Sequence, residues 1–182
     1  MILRKQRLPD LLLVAVLAIF ICACSDGRRG INPGDVAPDI SGVSPQGTTL
    51  SLASIPAKVV LINFWATWCA PCMAELPELQ ALHKRLEDKG FAVVGVAVDD
   101  DPDKIQSAVA QYGITYPIII DNTSQSKRRY EVKGLPESYV LDSKRQVLVV
   151  ADPDDGSPVT KIIGPRAWAQ NQTVQLFSGL LQ

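Results

Sequence analysis

The residues of this chain whose type and spacing could do chemistry are two cysteines with two residues between them, Cys69-Ala70-Pro71-Cys72. An apolar, β-branched run, Val59 to Trp65, enters them, and a helical pattern, Met73 to Leu86, leaves them. That order reads as a buried strand turning into a helix. A strand-to-helix junction puts Cys69 at or just before the first helical turn, where free backbone N–H groups and the positive end of the helix dipole favour a negative charge. A thiolate is such a charge. Residues three apart share a helix face, so the two sulfurs can come within disulfide reach. At a helix N-terminus a cysteine pKa falls from about 8.5 towards roughly 7, raising the thiolate fraction at neutral pH from about 3% to about half. Cys69 is then the attacking thiol and Cys72 the resolving one. A structural disulfide and half of a metal site are the competing readings. His83 is the single histidine and no second CxxC exists, so one chain cannot assemble four Cys/His ligands.

Glu75 follows Cys72 by three residues and shares its face. A carboxylate beneath the second thiol could take its proton, or raise its pKa by charge repulsion. The alternative is a solvated first-turn glutamate favoured by the dipole. Trp68 adjoins Cys69 and offers a shield and an apolar contact, whereas Trp65 reads as core. His83 reads as a helix-edge residue and Asp99–Asp101 as a helix cap rather than a metal site. Pro77 should kink the helix that contains it.

The elements that position these residues follow in order. Gly34 to Ile40 is an extended lead-in, and Thr48 to Leu52 a short edge strand after a turn at Pro45-Gln46-Gly47. After the central helix, Phe91 to Val98 is a second buried strand. Asp101 as N-cap and Pro102 at the first helical position start a helix reaching about Tyr112, with Ile105, Val109 and Tyr112 on one face. Pro117 to Asp121 is a third strand, and Ser124 to Tyr130 one or two helical turns. Ser138 to Asp142 and Gln146 to Ala151 form a hairpin around Ser143-Lys144-Arg145. Asp152 to Pro158 is an acidic loop, Val159 to Ile163 could extend the sheet, and Arg166 to Leu181 is a terminal helix with Trp168, Val174, Phe177 and Leu181 buried. This pattern predicts an α/β fold: a sheet with helices on both faces and an antiparallel edge pair.

The 182 residues, 47% hydrophobic and 20% charged, suit one domain with its own core. The net charge of −1 gives no polybasic surface for nucleic acid. The two remaining cysteines, Cys22 and Cys24, close an N-terminal segment with a basic start (Arg4, Lys5, Arg7) and an apolar run, Leu11 to Ala23. As a helix that run covers roughly 20 Å, short of the roughly 30 Å of a bilayer core. A signal peptide over residues 1–23 therefore fits better than a full span, with an uncleaved short anchor as the alternative. Ile21-Cys22-Ala23-Cys24 resembles a bacterial lipobox, which makes Cys24 the lipidated first residue of the mature chain. Residues 24–33 then form a polar tether and residues 34–182 the domain. Without the leader, whose charge is +2, the chain carries −3.

Val60-Leu61-Ile62-Asn63-Phe64-Trp65-Ala66-Thr67-Trp68-Cys69-Ala70-Pro71-Cys72 resembles the active-site segment of thioredoxin-fold proteins. The similarity is greatest to the TlpA/ResA/CcmG branch of extracytoplasmic thiol-disulfide oxidoreductases, related to AhpC/TSA proteins. Gly134-Leu135-Pro136-Glu137-Ser138-Tyr139-Val140-Leu141-Asp142 resembles that branch's loop and following strand. Gly164-Pro165-Arg166-Ala167-Trp168 is a weaker match. The resemblance implies a thioredoxin-like fold, with a central mixed sheet, helices on both faces and an extra helix, Asp101–Tyr112, inserted in the middle, and a cis peptide before Pro136. It also implies a Leu135 backbone exposed to pair with a substrate strand, and a functional glutamate at Glu75. Glu137 would add acidity to the partner surface or be an exposed loop charge. Cytoplasmic thioredoxins carry a buried Asp where Asn63 stands, so Asn63 cannot be the proton acceptor. The implied activity is reduction of protein disulfides, such as those of apocytochrome c. It would be performed by a lipid-anchored monomer outside the cytoplasm, kept reduced by a membrane electron donor, with no cofactor beyond the Cys69–Cys72 disulfide and no metal. A peroxiredoxin-type thiol peroxidase and a non-catalytic metal chaperone or assembly lipoprotein are the competing functions. The first is disfavoured because Thr67 stands two residues before Cys69 rather than three.

Overall fold

Strand β3, Val59–Trp65, is buried along its whole length, and so is β4, Phe91–Ala97. They run parallel, with Asn63 opposite Gly95. Full burial on both faces accounts for their almost wholly apolar sequences, with Asn63 the polar exception. The computed structural model describes residues 31–98 and 101–182. The leader, Cys24, most of the tether, Asp99 and Asp100 lie outside them.

Around this pair a seven-stranded mixed sheet has the order β2-β1-β5-β4-β3-β6-β9. The other strands are β1 Ser41–Val43, β2 Thr49–Ser51, β5 Ile118–Ile120, β6 Glu137–Leu141 and β9 Lys161–Ile163. Contacts β3–β4 and β4–β5 are parallel and the rest antiparallel. The helices are α1 Ala70–Leu86, α2 Pro102–Gln111, α3 Gln125–Arg129 and α4 Asn171–Gly179. Helix α1 connects β3 to β4, and α2 is the inserted helix between β4 and β5. Asn63 and Phe64 are neighbours on β3 and point to opposite faces. Asn63 meets α1 through Glu75, whereas Phe64 packs against Tyr130, at the end of α3, with ring centres 5.2 Å apart. The helices thus cover both faces.

Local signals set most boundaries. The Asp101 side chain accepts from the Lys104 N–H and Pro102 opens α2. Helix α2 buries Ile105 and Ala108, while Val109 and Tyr112 are half-buried against the core. A short 3-10 turn, Glu87–Lys89, ends at Gly90, whose φ of 94° is left-handed. Pro77 sits inside α1 with its ring exposed.

Two expectations are corrected. The second arm of the hairpin after β6 is not a strand of the sheet. Val147 bridges to Leu141, and then Val150–Ala151 (β7) pairs with Pro158–Val159 (β8) in a separate two-stranded sheet. The reason is competition: β3 occupies one edge of β6, and β9 takes Glu137 to Tyr139 on the other. The terminal helix begins at Asn171 rather than Arg166, because residues 164–170 are drawn out to bond α1 and the loop before β6. Trp168, Val174, Phe177 and Leu181 are all buried.

Gly95 marks the closest packing beneath the site. A Cβ there would lie 2.5 Å from Ile118 Cδ1 and 3.0 Å from Trp65 Nε1. Gly95→Ala is therefore expected to cost about 1–3 kcal/mol, as overpacking does, read as a lower urea midpoint at unchanged slope.

Candidate active site

Cys69 is the N-cap of α1. Its backbone is extended (φ −90°, ψ 97°), and its Sγ accepts from the Cys72 N–H at 3.3 Å. Pro71 occupies the first turn, where its missing N–H costs nothing. The two sulfurs form a disulfide with Cα atoms 5.2 Å apart. Cys69 retains 6% exposure and Cys72 none. An incoming sulfur therefore reaches Cys69 alone. Trp68 stands 69% exposed beside it and walls a cleft of about 400 Å³ with Thr67, Met73, Lys104, Ser107, Ala108 and Gln111. A larger depression, about 550 Å³, lies between Ser124 and Lys133 and contains neither cysteine.

The loop before β6 lies at the end of the sheet from which β3 leads into the dithiol, because Glu137 at the start of β6 pairs with Phe64 near the end of β3. The Leu135–Pro136 peptide is cis. Pro136 is buried and its carbonyl accepts from the Gly164 N–H at 2.9 Å. No hydrogen bond within the described residues engages the Leu135 backbone.

Glu75 is not a solvated first-turn residue. It is 3% exposed, on the second turn of α1. Its Oε1 accepts from Asn63 Nδ2 at 2.8 Å. Its Oε2 accepts from Trp168 Nε1 at 2.8 Å and from the Arg166 N–H at 3.2 Å. Asn63 Nδ2 also donates to Ser138 Oγ at 3.1 Å, its neighbour across the β3–β6 ladder. Burial pushes the Glu75 carboxyl above its ordinary value; the three donors and the Arg166 charge pull the other way without overcoming it. A buried carboxyl held up in this manner takes a proton more readily than a solvated one.

Glu137 contradicts both expectations for it. It is 1% exposed, and its carboxylate pairs with Lys161 Nζ at 3.0 Å. It lies on β6 next to Ser138, and strand alternation sends it to the sheet face opposite the Asn63–Ser138–Glu75 network. It therefore adds no acidity to a partner surface. His83 is likewise buried rather than at a helix edge. Its Nδ1 accepts from the Val93 N–H, its Nε2 meets Glu87 at 3.1 Å, and burial lowers its pKa. Trp65 is fully buried in the core. Asn63, Arg166 and Trp168 were not expected to hold Glu75. The usable signal was a polar Asn inside an otherwise apolar strand and a Trp assigned to the core, since both carry N–H groups that burial obliges to find acceptors. Among the described residues no three His, Cys, Asp or Glu side chains converge into a group able to hold a metal ion.

Residues 33–150 match the model of the AhpC/TSA family. The chain belongs to that family. Thiol-disulfide oxidoreductase ResA of Bacillus anthracis is 30% identical over 149 residues, covering 82% of this chain and 76% of that protein. ResA of Bacillus subtilis (strain 168) is 27% identical, covering 81% and 86%. A solved thiol:disulfide interchange protein of the thioredoxin family from Chlorobium tepidum TLS superposes with a TM-score of 0.67 at 28% identity, covering 85% of this chain and all of that one. With these relatives, the thioredoxin-like fold and the Cys69–Cys72 disulfide, this AhpC/TSA member is a thiol-disulfide oxidoreductase.

Because Glu75 holds its proton more tightly when folded, stability falls as pH rises from the ordinary carboxyl value of about 4.5 through the folded value, and levels off above it. Glu75→Gln should remove that fall. Urea unfolding of the oxidised protein at about pH 5 and pH 8 should show the variant gaining on the parent as pH rises; a constant difference would contradict the assignment.

Proposed function

We propose that this chain is a membrane-anchored, extracytoplasmic reductant of protein disulfides, working on dithiols such as those of apocytochrome c. The observation that carries the reductant mechanism is the asymmetry of the pair: Cys69 is reachable, whereas Cys72 is sealed, three residues before the buried Glu75 on the same helix. The Cys69 thiolate, aided by the Cys72 N–H, attacks a substrate sulfur. The substrate S–S bond breaks, and its departing thiolate takes a proton. Cys72 then gives its proton to Glu75 and attacks Cys69 Sγ. The mixed disulfide breaks, the second substrate thiolate leaves, and two electrons have passed from the dithiol to the substrate. Leu135 offers its unpaired backbone to the substrate strand and Trp68 offers an apolar wall. A membrane electron donor restores the dithiol.

Anchoring through Cys24, after a leader spanning residues 1–23, rests on the basic, apolar and lipobox-like N-terminus. More than one acyl chain makes such an anchor stable, since one is marginal. The site is assembled within one chain, which suits a monomer. Among the described residues no helix is long and apolar enough to cross a membrane.

Cys72→Ser leaves Cys69 to attack and nothing to resolve the adduct. The variant is expected to accumulate a mixed disulfide with a protein substrate, seen as a mass increase that dithiothreitol reverses and that vanishes in Cys69→Ser/Cys72→Ser. Failure to capture any protein from extracytoplasmic extracts, together with rapid peroxide turnover by the parent enzyme, would favour the peroxidase reading instead.

A further inference from the structure

The acidic hairpin that joins β7 to β8 has no place in the exchange reaction, yet it reaches the site through one residue. Arg166 forks onto Asp152, with Nε to Oδ1 at 2.9 Å and Nη2 to Oδ2 at 2.8 Å, and meets Asp154 at 3.2 Å. Both partners of the fork are largely buried, Arg166 at 14% and Asp152 at 9% side-chain exposure. A bidentate, sheltered pair fixes orientation as well as charge. The remaining nitrogen, Nη1, donates to the carbonyls of Ile163 and Pro165 at 3.0 Å each. Asp152 is itself pinned by its backbone: its N–H donates to the Ser157 carbonyl at 2.7 Å and its carbonyl accepts from Gly156 at 2.9 Å. Every side-chain nitrogen of Arg166 is thus spent on holding residues 163–166 against the hairpin. What that segment then presents to the interior is the Arg166 N–H and, two residues on, the Trp168 indole, both on Glu75 Oε2.

We propose that Asp152 and Arg166 are positioning residues for the exchange reaction: their ion pair latches the segment that carries the two donors to Glu75, and so sets how readily Glu75 takes a proton from Cys72. This rests on the reading of Glu75 as the acceptor of that proton. The groups facing Glu75 are few. Among the described residues they are Asn63 of β3, Tyr116 ahead of β5, and Arg166 and Trp168 ahead of α4, with Ser138 of β6 behind Asn63, while Cys72 precedes Glu75 by three residues on the same helix. Arg166 is the charged one. Tyr116 is held neutral by burial, and Cys72 does not titrate while oxidised.

Two opposed effects make the latch testable. Asp152→Asn removes a negative charge from the neighbourhood, which by Coulomb's law alone makes Glu75 easier to ionise. Loosening the latch removes hydrogen bonds to the carboxylate, which makes it harder to ionise. The Trp168 indole N–H reports directly, because its NMR shift follows the charge of the oxygen it donates to. In the oxidised protein the parent is expected to show one inflection of that signal with pH, absent in Glu75→Gln. Asp152→Asn is expected to move it upward by about one pH unit, and the pH profile of disulfide reduction to move with it. Arg166→Lys keeps the charge and the backbone N–H but not the fork, and should move it the same way; it decides the matter if Asp152→Asn does not fold. An inflection that stays put or moves down in these variants, whatever their melting temperature, overturns the latch. A pH profile of turnover that is unaltered in Glu75→Gln overturns instead the acceptor role on which the proposal rests, and does so independently of where the indole signal moves.

Discussion

A carboxyl buried on the helix that carries the dithiol is the constraint that organises this molecule. Taking an ionised carboxyl out of water without partners is prohibitively costly, so Glu75 can be buried only if donors are brought to it. Four elements supply what it needs. Helix α1 carries it, β3 brings Asn63, β6 braces Asn63 through Ser138, and the segment ahead of α4 brings Trp168 and the Arg166 N–H. The donors are outweighed by burial, which leaves a group poised to gain a proton rather than one locked in its charged form.

The same segment couples the two halves of the site. The Gly164 N–H holds the Pro136 carbonyl, Arg166 and Trp168 hold Glu75, and the Ala169 N–H donates to Glu78 of α1 at 3.3 Å. The cis-proline loop, the helix bearing the cysteines and the buried carboxyl are therefore referenced to one stretch of chain. That stretch cannot also be helical, which is the physical reason α4 begins late. The bonds that would have continued the helix towards its N-terminus are spent on the site.

Asn63 shows how a polar side chain is accommodated inside an apolar strand. Its Nδ2 donates to two acceptors at once, Glu75 and Ser138. The acid stands on the helix, and the strand residue orients it. Glu137 shows the opposite case. Next to Ser138 in sequence, it is carried by the pleat to the other face of the sheet, where Lys161 on β9 neutralises it.

From sequence alone, the parts governed by local rules were legible. These are the two nearly all-apolar strands, the CxxC at a helix start, the Asp101-Pro102 cap and the buried set Trp168, Val174, Phe177 and Leu181. Each follows from periodicity, capping or turn chemistry within a few residues. Tertiary structure alone decided the fate of the polar and charged groups. Glu75 could have been solvated, Glu137 exposed and His83 marginal on the same local evidence. All three are buried because partners on other elements, Trp168 for Glu75, Lys161 for Glu137 and Val93 for His83, arrive only when the sheet is assembled. Hydrophobic spacing reports which face turns inward; it carries no record of which donor from another element will meet a buried acid, and that pairing is decided only when β3, β6, α1 and the segment ahead of α4 come together.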